Sequence, residues 1–163
     1  MSDKVIILMG SKKDRDISSS IGRTLDHLGV DYDFRVASAH KTPIKVLGIL
    51  KEYDKLERCV YITVAGRSNA LSGLVDANTT KPVIACPPYS EKFGGADIYS
   101  SLRVPSGVGS LVTIEPEGAA ISAAKVLSIG NKSLTEKIRD YQLKKRKEID
   151  AADEAIKEEL NRG

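Results

Sequence analysis

This sequence is short of the residues on which specialised chemistries depend. It holds two cysteines, two histidines and no tryptophan. Cys59 and Cys86 lie in β-type runs and fit no C-x-x-C spacing, so both are expected as reduced, buried core thiols, not as a bridge. With only His27 and His40, no H-E-x-x-H and no Cys/His cluster, no metal site is expected. The longest apolar run, Val5 to Met9, is too short to cross a bilayer or to form a signal-peptide core. Neither a membrane partner nor export is expected, and a reducing cytoplasm suits the chain. Charge of one sign is also missing: 25 basic and 22 acidic residues leave +3. The two phenylalanines and six tyrosines do not interleave with basic residues, so no nucleic-acid partner is expected. Several nucleotide and hydrolase motifs are absent too. There is no G-x-x-x-x-G-K-[ST] and no G-x-S-x-G. Gly107-Val-Gly109 has Val112 where a third glycine belongs, and neither cysteine adjoins His40 at a strand-to-helix junction. A P-loop, a dinucleotide fold and nucleophilic catalysis are disfavoured.

What is present is an alternation of two patterns. A hydrophobic content of 41% with 29% charged residues, over 163 residues, suits one globular domain with a sizeable core. Lys4 to Met9 and Cys59 to Ala65 are Val/Ile-rich runs without alternation, as in strands buried on both faces. Tyr32 to Ala37, Pro82 to Cys86 and Leu111 to Ile114 supply three further strands. Between them come helical patterns. Asp14 or Asp16 caps a helix carrying Ile17, Ile21, Leu25 and Leu28, and Gly29 ends it. Thr42-Pro43 starts a second helix with Ile44, Leu47 and Leu50. A short third carries Leu71 and Leu74, and a further short one precedes Leu102. Glu115 to Ile129 is dense in small residues, a face expected in the core or at a subunit contact. From Ser133 on, Leu134, Ile138, Tyr141, Lys145, Ile149, Ala152, Ile156 and Leu160 mark one long amphipathic helix. The expected fold is an α/β three-layer, doubly wound parallel sheet with a long C-terminal helix. Residues 1–131 form the α/β catalytic domain. Residues 132–163 form a helical extension that serves as an oligomerisation arm. Lys144-Lys-Arg-Lys147 reads as a solvated helix face, and His27 as a surface residue at a helix end.

Right-handed crossovers place every strand-to-helix loop on one sheet edge, where ligands bind. Three loops bring polar groups there: Gly10-Ser11 with Asp14, Ser38 with His40 and Lys41, and Gly66-Arg67-Ser68-Asn69. Glycine lets a ligand approach backbone N–H groups, and helix N-termini favour anions. Hydroxyls and Lys41 suit a phosphate, Asp14 a sugar diol, and His40 exchanges protons near neutral pH. The residues by themselves imply a small phosphorylated metabolite and one acid/base histidine.

Six motifs occur in register: Met9-Gly-Ser11, Ser38-Ala-His-Lys41, Ala65-Gly-Arg-Ser-Asn69, Cys86-Pro-Pro88, Ser100-Ser-Leu-Arg-Val-Pro-Ser-Gly107 and Pro116-Glu-Gly118. Over about residues 4 to 130 they closely resemble the phosphoribosylaminoimidazole carboxylase family of de novo purine synthesis. The class I branch is a mutase acting on a carbamate, with His-Arg after Ser-Ala and a Gly-Gly-Ala loop after the third strand. The class II branch adds CO2 directly to aminoimidazole ribonucleotide. His40-Lys41, Arg67-Ser68-Asn69 and Ser100-Ser-Leu-Arg103 look like class II, although Ala70 stands where its loop more often has glycine. The resemblance implies a flavodoxin-like fold, a cytoplasmic homo-octamer with sites shared between subunits, and a lyase using no cofactor. It assigns His40 as the proton shuttle and Ser11, Ser38 and Lys41 to the phosphate. Asp14 falls to the ribose hydroxyls, and Gly66, Ser68 and Asn69 to the imidazole and carboxylate end. Arg67 is left between a carboxylate contact and an intersubunit ion pair, and Arg103 is taken as structural. The alternatives are a class I mutase and a non-catalytic flavodoxin-like binding or assembly module.

Overall fold

A computed structural model describes residues 3–161, so the first two and last two residues of the expected segments, 1–131 and 132–163, lie outside the described residues. Five strands, β1 (Lys4–Met9), β2 (Asp31–Val36), β3 (Cys59–Val64), β4 (Val83–Ala85) and β5 (Leu111–Val112), form one sheet. Every pairing is parallel, in the order β2-β1-β3-β4-β5. The helices are α1 (Arg15–Leu28), α2 (Pro43–Tyr53), α3 (Ala70–Asp76), α4 (Tyr99–Leu102), α5 (Pro116–Ser128) and α6 (Lys132–Asn161).

The unalternating strands are buried because both sheet faces are covered. Val5, Ile7 and Met9 of β1 and Val60, Ile62 and Val64 of β3 pack with α1, α5 and the start of α6. Their neighbours Ile6, Leu8 and Tyr61 point the other way, onto Val46, Ile49 and Leu50 of α2 and Leu71 and Val75 of α3. Each fully buried Val, Leu or Ile side chain contributes about 1.5–3 kcal/mol by leaving water. This is the three-layer arrangement expected.

Local signals set the helix ends. Gly29 takes φ 63°, and its N–H with that of Val30 closes back on the last carbonyls of α1. Only glycine adopts that left-handed turn at no steric cost. Pro116 opens α5, whose Ala119, Ala120, Ala123 and Ala124 are fully buried, so the small-residue face lies in the core. α2 departs from expectation: Val46, Ile49, Leu50 and Tyr53 are buried, while Ile44 is 79% and Leu47 37% exposed. Apolar residues surround this helix almost completely, so period alone did not select its inner face.

α6 docks through Leu134 and Ile138 and, partly, Tyr141. Every described residue from Leu143 onward is exposed. A helix of this length spans roughly 45 Å, and its second half extends beyond the core.

Candidate functional site

The strand order reverses between β1 and β3, and at such a switch point the loops diverge to leave a crevice beyond the strands' carboxyl ends. The molecule has a cleft there of about 380 Å³. Its walls are Gly10, Ser11, Lys13 and Asp14 after β1, Ser38 to Lys41 after β2 and Ala65 to Ser68 after β3. Pro88 to Ser90 and Asp97, after β4, complete it.

The floor depends on one glycine. A Cβ on Gly10 would lie 3.1 Å from the Ala65 Cβ, so the β1 and β3 exits approach closely only because residue 10 lacks a side chain. The first loop then closes as a capping box. The Ser11 N–H (2.8 Å) and hydroxyl (3.1 Å) both donate to Asp14 Oδ2, and Ser11 Oγ accepts from Lys13 N–H (3.2 Å). Asp14 occupies the N-cap position of α1 without capping it through its side chain. Its carboxylate is turned back to Ser11, which fixes both groups at the rim.

The second loop is a closed turn. Ser38 N–H donates to Thr42 Oγ1 (2.9 Å), and the Thr42 N–H (2.9 Å) and hydroxyl (3.3 Å) return to the Ser38 carbonyl. Thr42 therefore shapes the turn and does not cap α2 through its side chain. Ser38 Oγ accepts from Lys41 N–H at 3.3 Å, leaving its own proton free to be donated. His40 and Lys41 stand exposed on the cleft wall.

The third loop contributes Gly66, Arg67 and Ser68 to the wall. Asn69 behaves differently. It is 4% exposed, its Oδ1 accepts from Ser72 N–H (3.3 Å) and its Nδ2 donates to Ser101 Oγ (2.9 Å). Asn69 caps α3 and does not line the cleft. Ser11, Asp14, Ser38, His40, Lys41, Gly66 and Ser68 are thus brought together, and Asn69 is held behind them.

Lys13, Arg67 and Asp97 also line the cleft, giving three cations against two carboxylates. Such a balance favours an anion. Lys13 lies inside the Ser11–Asp14 loop already singled out. Asp97 could have been found by applying the sheet-edge rule to the loop after β4, beyond its Gly94-Gly95 turn. Arg103 holds its guanidinium over the Tyr99 ring, 5.9 Å from the ring centre.

Cys59 and Cys86 are free and buried, and burial pushes each thiol up to about 12. They stay protonated at neutral pH, so neither is an activated nucleophile. Among the described residues no group of three or more His, Cys, Asp or Glu could hold a metal. No helix among them is long and apolar enough to cross a membrane.

Fold and site together define a doubly wound α/β protein with an anion-favouring ligand cleft, containing a histidine, at its topological switch point. Comparison with known proteins narrows this. The family profile described as AIR carboxylase matches residues 4–148, and the chain belongs to that family. It is 56% identical over 154 residues to a phosphoribosylaminoimidazole carboxylase of Archaeoglobus fulgidus, covering 94% of this chain and 85% of that one. It is 45% identical over 158 residues to the Treponema denticola protein of the same name, covering 96% and 99%. The crystal structure of Treponema denticola PurE superposes with a TM-score of 0.90 at 44% identity, covering 93% of this chain and 97% of that one.

Proposed function

We propose that this chain reversibly carboxylates aminoimidazole ribonucleotide with CO2, giving carboxyaminoimidazole ribonucleotide, without ATP or cofactor. The reaction is a carbon–carbon lyase step of purine biosynthesis. The observation that carries the reading is the convergence of Ser11 and Asp14, Ser38 to Lys41, and Gly66 to Ser68 on one cleft, in a chain of the AIR carboxylase family.

The substrate's exocyclic amine makes the adjacent ring carbon nucleophilic, and that carbon attacks CO2 to form the new C–C bond. The ring carbon is then tetrahedral and must lose its proton before aromaticity returns. His40 takes that proton, and as imidazolium returns it in the decarboxylation direction. Ser11, Ser38 and Lys41 hold the phosphate. Asp14 Oδ1 takes the ribose hydroxyls, since Oδ2 is engaged with Ser11. Gly66 and Ser68 face the imidazole and its carboxyl end, and Asn69 contributes by holding their loop.

The chain works as a homo-oligomer, an octamer, in the cytoplasm. Exposed Ile44 and Leu47 on α2, and Ile149, Ile156 and Leu160 on α6, support association. In this reading residues 1–131 form the catalytic domain and 132–163 the arm. Removing residues 144–163 is expected to lower the sedimenting mass, and an unchanged mass would contradict the arm's role.

Purified chain supplied with aminoimidazole ribonucleotide and bicarbonate, and no ATP, tests the activity. Carboxylated product is expected. Turnover confined to the carbamate substrate would assign a mutase instead, and nucleotide binding without turnover on either substrate would assign a binding module.

A further inference from the structure

Residue 67 is the one non-glycine with a positive φ among the described residues, at 61°. An L side chain disfavours that conformation, and it persists only where the surroundings over-determine it. Here the surroundings are a segment some thirty residues further along the chain. Arg67 N–H donates to Asp97 Oδ2 (3.0 Å). Ser100 Oγ accepts from Asn69 N–H (2.9 Å) and shares its single proton between the carbonyls of Arg67 (2.8 Å) and Asp97 (2.7 Å). Asn69 Nδ2 reaches Ser101 Oγ, and both residues are more than nine-tenths buried. Both peptide groups that flank the strained residue, and the buried amide behind it, are held by residues 97–101.

We infer that Arg67 binds the carboxyl group that the reaction adds or removes, and that Asp97 and Ser100 are positioning residues that latch it in place. The inference rests on the carboxylase reading above. Glycine would adopt the same backbone without strain, yet the chain places an exposed arginine there, at a position on the wall of the cleft shared by His40 and Ser68. A guanidinium presents paired donors in a plane that matches a carboxylate, the group that appears at the reacting carbon. Position divides the cations as well. Lys41 stands on the β2 loop and Lys13 on the β1 loop, where the phosphate is assigned, while Arg67 stands on the β3 loop. A guanidinium on a loop free to relax would lose this register, and a misplacement of about 1 Å costs about 10²-fold in rate.

The test is steady-state kinetics in both directions on the oligomeric wild type, Arg67→Ala, Ser100→Ala, Ser100→Thr and the double variant. Arg67→Ala should raise the apparent KM for CO2, and for the carboxylated nucleotide in reverse, by about 10²-fold. The KM for aminoimidazole ribonucleotide should stay within about threefold, because phosphate binding is untouched. Ser100→Ala should move the same constants about tenfold, the equivalent of one lost hydrogen bond, and Ser100→Thr should restore them. In the Arg67→Ala background, Ser100→Ala should cost less than about twofold, since its effect acts through residue 67. Asp97→Ala provides the same comparison should Ser100→Ala not assemble. Fully additive losses, or a Ser100→Ala enzyme with lowered thermal stability but unchanged CO2 dependence, would overturn the latch. An unchanged KM in Arg67→Ala would overturn the carboxyl contact. A wild type inactive on aminoimidazole ribonucleotide and bicarbonate would instead remove the parent reading, and this one with it.

Discussion

Replacing His40 with asparagine isolates the proton transfer from everything else the cleft does. Asparagine keeps a polar group at similar reach but cannot carry the proton between ring carbon and solvent. His40 is exposed and belongs to neither buried cluster, so the substitution should change folding stability by no more than about 0.5 kcal/mol. General acid/base groups contribute about 10²–10⁴ in rate. At about 1.36 kcal/mol per tenfold, that is about 2.7–5.4 kcal/mol of transition-state stabilisation, far above the stability effect. Nucleotide binding through Ser11, Asp14, Ser38 and Lys41 should survive. Ligand at about 100 times its Kd stabilises the folded state by about 2.7 kcal/mol. For a chain of this size that raises the Tm by roughly 5–11 °C. The assay pairs turnover with the nucleotide-induced thermal shift in both proteins. The expected result is a loss of at least about 10² in kcat with the shift retained. Turnover within about tenfold of wild type, or a shift lost along with it, would refute the assignment of His40 to proton transfer rather than binding.

Arg67→Gly should relieve the left-handed backbone and raise the Tm by a few degrees while lowering turnover; calorimetry and kinetics on the same preparation check the opposed signs. At the β2 edge, burial resists ionisation of Asp33, but hydrogen bonds from Lys4 and Tyr53 outweigh it and hold the carboxyl below its usual range. A depressed carboxyl stabilises above its unfolded pKa, about 3.9, and the contribution fades as pH falls through the lower folded value. Asp33 is about a third exposed, so Asp33→Asn should cost under about 1 kcal/mol at pH 7 and almost nothing near pH 2, read from urea midpoints. Cys59 and Cys86 should resist alkylation in the native protein at pH 8 and react on unfolding, because burial keeps both thiols protonated; rapid native labelling of either would contradict their placement.

How much of this was legible in the sequence follows from how local each signal is. β1 and β3 stood out because burial on both faces leaves unbroken Val/Ile runs, and Gly29 marked a helix end because a left-handed turn selects glycine. The three cleft loops followed from the rule that parallel crossovers put strand-to-helix turns on one edge. Side-chain orientation was less legible. Both faces of α2 are apolar at helical spacing, and the sheet, not the period, decides that Ile49 turns inward and Ile44 outward. β4 and β5 are shorter than their apolar runs, although the Cys86 and Thr113 N–H groups just beyond them still donate to the Thr63 and Ala85 carbonyls of the neighbouring strands. Asn69 was grouped with the ligand contacts by its place in the loop. Its partners, Ser100 and Ser101, lie more than thirty residues away, a pairing with no local pattern to reveal it.

The central claim is a geometry: one cleft holds a sugar phosphate by its β1 and β2 loops and presents the imidazole carbon to His40. A crystal structure of the chain with bound aminoimidazole ribonucleotide measures it directly. The account predicts the phosphate within about 3 Å of Ser11, Ser38 and Lys41, and the His40 ring within hydrogen-bond reach of the reacting carbon's proton. A nucleotide bound elsewhere, or one whose ring faces away from His40, would contradict it.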